Sequence, residues 1–238
     1  MNQDSARRGS IFAPLLAGAS LRDRLIACAG ALIGIALTGL ICARLPAMVA
    51  APPFLLATMG ASAILLFAVP ASPMAQPWPI IGGNIVSAVV GVFFTRLVHQ
   101  PMLAAGLAVS GAIFAMSLLR CFHPPGGSVA LTAIFGGPAI LSSGYGFALV
   151  PVAINSVFLV LTGWLFHRFS GHSYPHRAVV AQGGVHSPAF HPEAIDQALA
   201  DLGETFDVSR EDLDLLLQRA ALHDRERRIA AARGHRRG

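Results

Sequence analysis

Residues 120–128 read Arg120-Cys121-Phe122-His123-Pro124-Pro125-Gly126-Gly127-Ser128, and their types and spacing point to anion chemistry. Two prolines stop a helix arriving from the N-terminal side and preset φ for a new first turn. Two glycines permit close backbone approach, and Ser128 can cap free N–H groups. The expected product is a helix start whose amides and positive dipole end face a buried site, with His123 and Arg120 near enough in sequence to add a donor or a charge. A tight interfacial turn, with His123 and Arg120 reaching into headgroups, is the other reading of the same residues.

The charge pattern favours anions. The chain has 12 Asp plus Glu, yet none lies between Asp23 and Glu193, a stretch that keeps Arg44, Arg96, Arg120 and Arg168. Carboxylates are the usual intramembrane ligands for cations and the usual proton relays, so their absence disfavours both roles. With no carboxylate dyad, Cys–His pair or metal cluster in this stretch, no enzymatic activity and no cofactor are expected. The three cysteines, Cys28, Cys42 and Cys121, have no CxxC spacing and read as small buried hydrophobes. His167, His172 and His176 match no common metal signature.

The elements that must position these residues are membrane helices. Residues 25–43, 53–69, 79–95, 101–119 and 146–166 are uncharged apolar runs, each near the length that crosses hydrocarbon. Charged residues make up 12% of the chain against roughly 25% in soluble domains, so the surplus apolar surface must face lipid. Residues 126–141 form a sixth, shorter and Gly-rich segment, expected to be broken. The fold class expected is all-α: a polytopic membrane bundle of about six segments. Arg7, Arg8, Arg22, Arg24, Arg120, Arg168 and Arg177 fall on one side of such a bundle and Arg44 and Arg96 on the other, which places both termini in the cytoplasm.

Internal similarity adds to the candidate site. Gly60-Ala61-Ser62 echoes Gly126-Gly127-Ser128, and the aliphatic stretch after Asn84 echoes the one after Asn155. Segments one to three and four to six therefore read as candidate inverted copies of a three-segment unit, with the substrate between them. Chance recurrence in a Gly/Ala-rich membrane protein is the alternative. Asn84 and Asn155 either line a polar path or join helices.

The His123-Pro124-Pro125-Gly126-Gly127 string resembles the HPP family of integral membrane proteins, as do Gly60-Ala61-Ser62-Ala63, Ser72-Pro73, Ala75-Gln76-Pro77, Gly82-Gly83-Asn84 and Tyr174-Pro175. The resemblance runs from about Arg22 to Arg177. It implies about four spans, a transport role, a bacterial inner-membrane location and, from plastid and cyanobacterial relatives linked to nitrite uptake, a small inorganic anion as substrate. Many bacterial relatives continue into paired CBS modules; the sequence leaves no room for them after Gly238, so ligand gating of that kind is not expected.

The organisation expected is a cytoplasmic segment 1–24, a transmembrane domain 25–168, a linker 169–192 and a basic helical tail 193–238 with helices over 193–202 and 211–232. Ser209 and Asp212 suggest a capping box, and Leu213, Leu216 and Leu217 an apolar stripe. The partners expected are the anion, the lipid bilayer and a second copy of the chain, through small-residue helix faces; nucleic acid is not among them. The other function class is a membrane subunit or sensor that acts with a partner.

Overall fold

The computed structural model describes residues 20–46, 55–177, 191–203 and 206–235, and among these all regular structure is helical. The helices are α1 (Leu21–Cys42), α2 (Met59–Ala68), α3 (Pro77–Leu97), α4 (Pro101–Leu118), α5 (Gly126–Phe135), α6 (Pro138–Ser143), α7 (Ile154–Ser170), α8 (Pro192–Leu202) and α9 (Arg210–His235). A π-helical turn, Ala148–Ala153, leads into α7 and bends at Val150, next to Pro151, which cannot supply an amide to the ladder.

Four segments are long and apolar enough to cross a membrane: α1, α3, α4 and Ala148–Ser170. The other two are short. The run expected over 53–69 forms a helix of only 10 residues, and 126–141 is divided into α5, also 10 residues, and α6. Each 10-residue helix is about 15 Å long, half the thickness of the hydrocarbon layer. The break in the second run falls at Gly136 and Gly137, the latter at φ 86, a left-handed conformation that glycine adopts without strain.

Contacts fix the direction of every segment. Along α1, Gly30 lies against Phe166, Thr38 Oγ1 is 3.4 Å from Thr162 Oγ1, and Cys42 Sγ accepts from Asn155 Nδ2, so α1 and α7 are antiparallel. Leu56 and Leu66 meet Asn155 and His167, which makes α2 parallel to α7. Gly83 lies against His123 and Gly91 against Ala130, so α5 runs parallel to α3. The start of α1, the 69–76 and 119–125 connections and the end of α7 therefore share one face. Arg44 and Arg96 lie at the other, where the Arg96 guanidinium sits 4.9 Å above the Tyr145 ring. The two 10-residue helices run in opposite senses.

Small residues make the α3–α5 contact possible. A Cβ on Gly91 would stand 2.7 Å from the Ala130 carbonyl oxygen and 2.8 Å from Ala133 Cβ, and Thr95 Oγ1 donates to the carbonyls of Gly91 and Ala133. The bilayer supplies no hydrophobic drive between helices, so such close approach is the main source of packing energy.

The tail helices form as expected, and they dock on the first face. Ser72 Oγ donates to Asp207 at 2.8 Å, the His176 amide donates to Gln76 Oε1 at 2.8 Å, and His176 Nε2 donates to Asp212 at 2.9 Å. Burial acts to raise the Asp212 pKa, but the hydrogen bonds from His176 and Ser209 outweigh it and hold the carboxyl below its ordinary value. The 1–19 and 178–190 segments lie outside the described residues.

Gly91→Ala should overpack α3 against α5 backbone and destabilise the domain by about 1–3 kcal/mol. Gly106→Ala, where the new Cβ meets nothing within 4 Å, should leave thermal unfolding in detergent unchanged, and the pair of melting curves measures the difference.

Candidate functional site

His123 lies in the connection between α4 and α5 and is fully buried. Its Nδ1 is 2.9 Å from the Met74 carbonyl oxygen, which can only accept, so Nδ1 carries a proton. Nε2 is 2.8 Å from Ser62 Oγ and in the neutral imidazole must accept the hydroxyl proton. One side chain thus joins α2, the 69–76 linker and the start of α5. The linker presents the Met74 carbonyl because Ser72 caps the short 3-10 turn Pro73–Ala75, accepting from the Met74 amide at 3.1 Å, while Gln76 Nε2 donates to the carbonyls of Pro70 and Ser72. Tyr174 adds a donation to the Ala75 carbonyl.

Pro124 and Pro125 begin α5 as their φ restriction predicts, but the amides that follow are not free. Gly126, Gly127 and Ser128 donate to the carbonyls of His123, Pro124 and Pro125 at 2.8, 3.0 and 3.1 Å. The Ser128 hydroxyl also turns back to Pro125, at 2.6 Å. The amides expected to face an anion are thus partnered within the turn: the prolines tighten it enough for its own carbonyls to take them. Ser128 is exposed and caps nothing.

The glycines divide by role. A Cβ on Gly126 would stand 2.5 Å from Ser87 Oγ, and one on Gly83 2.6 Å from both the Cys121 carbonyl oxygen and His123 Cβ, whereas one on Gly127 would meet nothing nearer than Val109 at 4.0 Å. Close approach belongs to Gly83 and Gly126, not to Gly127. In the other half, Gly60 and Ala61 are exposed and Gly60 faces open space, so of Gly60-Ala61-Ser62 only Ser62 reaches the site.

Arg120 has another job. It is the one described non-glycine residue at positive φ, 53°, with its amide on the Ser117 carbonyl and the next amide, Cys121, on Met116. These are the two hydrogen bonds of a Schellman cap, with the buried Met116–Cys121 pair as its apolar contact. Arg120 is exposed and takes the place that glycine usually fills, so it ends α4 rather than lining the site.

The asparagines extend the cluster inward. Asn84, one residue beyond Gly83, is fully buried; its Nδ2 donates to Ser156 Oγ at 3.1 Å and its Oδ1 has no hydrogen-bond partner. Asn155, beside Ser156, accepts the Leu56 amide at 2.8 Å through Oδ1. Each therefore joins helices, Asn84 linking α3 to α7 and Asn155 linking α7 to the turn before α2. Sequence reading missed Met74 as an acceptor, because a backbone carbonyl has no residue-type signature. It also missed Ser156, which Asn84 selects.

The groups that surround the His123 ring are neutral ones, the Ser62 hydroxyl and the Met74 carbonyl. In the neutral state every His123 nitrogen is occupied. Protonation at Nε2 would turn Ser62 from donor to acceptor and release its hydroxyl hydrogen toward another acceptor, so one proton adds both a positive charge and a free donor.

The family model described as HPP, transmembrane region, matches residues 17–175. Among curated proteins, one transmembrane protein of Dictyostelium discoideum is 40% identical over 121 residues, covering 49% of this chain and 39% of the relative. A second transmembrane protein of that organism is 37% identical over 126 residues, covering 51% and 44%. The chain thus spans less than half the length of these relatives. No solved structure matches the chain. The chain belongs to the HPP family of membrane proteins, and the matched stretch contains every residue of the His123 cluster.

Ser62→Ala should leave the buried Nε2 without a donor and cost about 1–3 kcal/mol of stability, read as a lower melting temperature in detergent. Arg120→Gly should do the opposite, gaining about 1 kcal/mol by relieving the left-handed conformation without loss of any buried contact.

Proposed function

We propose that this HPP-family chain is a membrane transporter or channel for a small inorganic anion of the nitrite type. The observation that carries the reading is the coincidence of two features: no carboxylate between Asp23 and Glu193, and a buried polar cluster of neutral groups centred on His123 where two short helices and two reentering connections meet. An acceptor-rich carboxylate site would suit a cation; hydroxyl and amide groups around a protonatable imidazole suit an anion that arrives with a proton. The opposed senses of α2 and α5 support an inverted pair of three-segment units, with Ser62 and His123 at their junction.

Orientation follows from arginine. Among the described residues, Arg22, Arg24, Arg120, Arg168 and Arg177 lie toward the first face and Arg44 and Arg96 at the other. The positive-inside rule makes the first face cytoplasmic in a bacterial inner membrane, with six segments counted and the tail inside. On this reading the protein is not an enzyme and needs no cofactor. A second reading, a non-transporting subunit that acts with a partner, draws support from the tail hairpin clamped on the 69–76 linker.

Nitrite flux into liposomes holding only the purified chain should exceed that of empty liposomes, rise as external pH falls, and drop at least about tenfold in His123→Ala with loss of the pH dependence. Arg120→Gly and Gly127→Ala should transport at the parent rate. Flux absent from the parent chain, or unchanged in His123→Ala, would sink the reading and favour the subunit role.

A further inference from the structure

The tail hairpin leaves an apolar groove open. Between α8 and α9 lies a groove of ≈ 750 Å³ walled by Ile195, Leu199, Leu202, Phe206, Leu213 and Leu217, with Leu202 63% and Phe206 51% exposed. A hairpin of this size cannot enclose a core of its own, and below about 40 residues helical units are completed by an outside surface. The charge of the same segment indicates what that surface is. Residues 193–214 contain eight carboxylates (Glu193, Asp196, Asp201, Glu204, Asp207, Glu211, Asp212, Asp214) and one arginine (Arg210), a net of −7. Residues 215–238 contain seven arginines and two carboxylates, a net of +5.

The two halves cannot neutralise one another within the chain. α9 is one continuous helix from Arg210 to His235, so its basic half projects past the hairpin, where among the described residues the ion pairs are local ones, His223–Glu226 and Arg228–Asp224. A bilayer with anionic headgroups would attract the basic half but repel the acidic one, which is the half that holds the groove. A second copy of the same helix, laid antiparallel, satisfies both halves at once.

We infer that the groove between α8 and α9 is the self-association surface of this protein: two tail hairpins pair groove to groove about Leu213 and Leu217, with their α9 helices antiparallel, so that the basic part of each α9 runs toward the acidic 201–211 stretch of the other. The product is a four-helix bundle of the ordinary antiparallel kind, with apolar residues of both hairpins inside and complementary charge at the rim. The pairing is isologous and closes on itself. It is independent of what the membrane domain transports.

The experiment uses the full chain in detergent, with mass followed against concentration by light scattering. The parent should be a dimer, and Leu213→Asp with Leu217→Asp should weaken it at least about tenfold. Leu216→Asp, at a leucine 64% exposed and outside the groove, should not. Reversal of Arg225, Arg227 and Arg228 to Glu should weaken self-association, and mixing with Asp201→Arg/Glu211→Arg chains should restore it in the mixed pair alone. A folded-state control is the thermal melt of the membrane domain, which should be common to all variants. A monomeric parent, a dimer that survives the Leu213/Leu217 pair, or arginine reversals that abolish binding to phosphatidylglycerol vesicles without changing the mass would each overturn the inference.

Discussion

The structure turns on the two hydrogen bonds of a buried imidazole. Short helices in a bilayer leave backbone groups that water cannot reach, and such breaks persist only where protein surrounds and satisfies them. Here α2 and α5 each cover half the hydrocarbon layer, and the connections next to them turn inward. His123 ties them together by donating to the Met74 carbonyl and accepting from Ser62. Loss of either bond strands a polar atom in the interior, where the penalty exceeds what a made hydrogen bond contributes in water.

That tie depends on small residues behind it. His123 can sit where it does because Gly83 has no side chain at its Cβ, and α5 can start beside α3 because Gly126 has none at Ser87. Further along, Gly91 and Ala130 bring the same two helices into backbone contact. Packing and polar satisfaction are therefore one constraint: the close approach of α3 and α5 fixes the depth of the imidazole, and the imidazole fixes how far α2 and the 69–76 linker enter the bundle.

Much of this was legible in residue types. Prolines 124 and 125 with glycines 126 and 127 announced a helix start, the short Gly-rich run 126–141 a break, and the uncharged apolar runs a membrane domain. Ser62 was singled out through its echo of Ser128, yet of the two serines only Ser62 is buried, and they stand on helices of opposite sense. What could not be read was the fate of the backbone. The turn residues that promised free amides at 126–128 also shape a first turn tight enough to occupy them, and nothing in the side chains distinguishes these outcomes. Arg120 misled for a related reason: its charge suggested a ligand, while its backbone performs the cap that sequence reading assigns to glycine.

The same interaction connects the tail to the interior of the membrane domain. The linker that presents the Met74 carbonyl to His123 is held from outside by Asp207 on Ser72 and by the His176 amide on Gln76. The tail therefore bears on the acceptor of the Nδ1 proton, and that acceptor fixes which nitrogen of His123 carries the proton. Both imidazole nitrogens are taken, so a new partner for His123 would require one of its two bonds to open. The bond to Met74 is the one that the tail can reach, through a linker only a few residues long held on its far side by Asp207. The state of the buried imidazole and the hold of the tail thus meet at one carbonyl group.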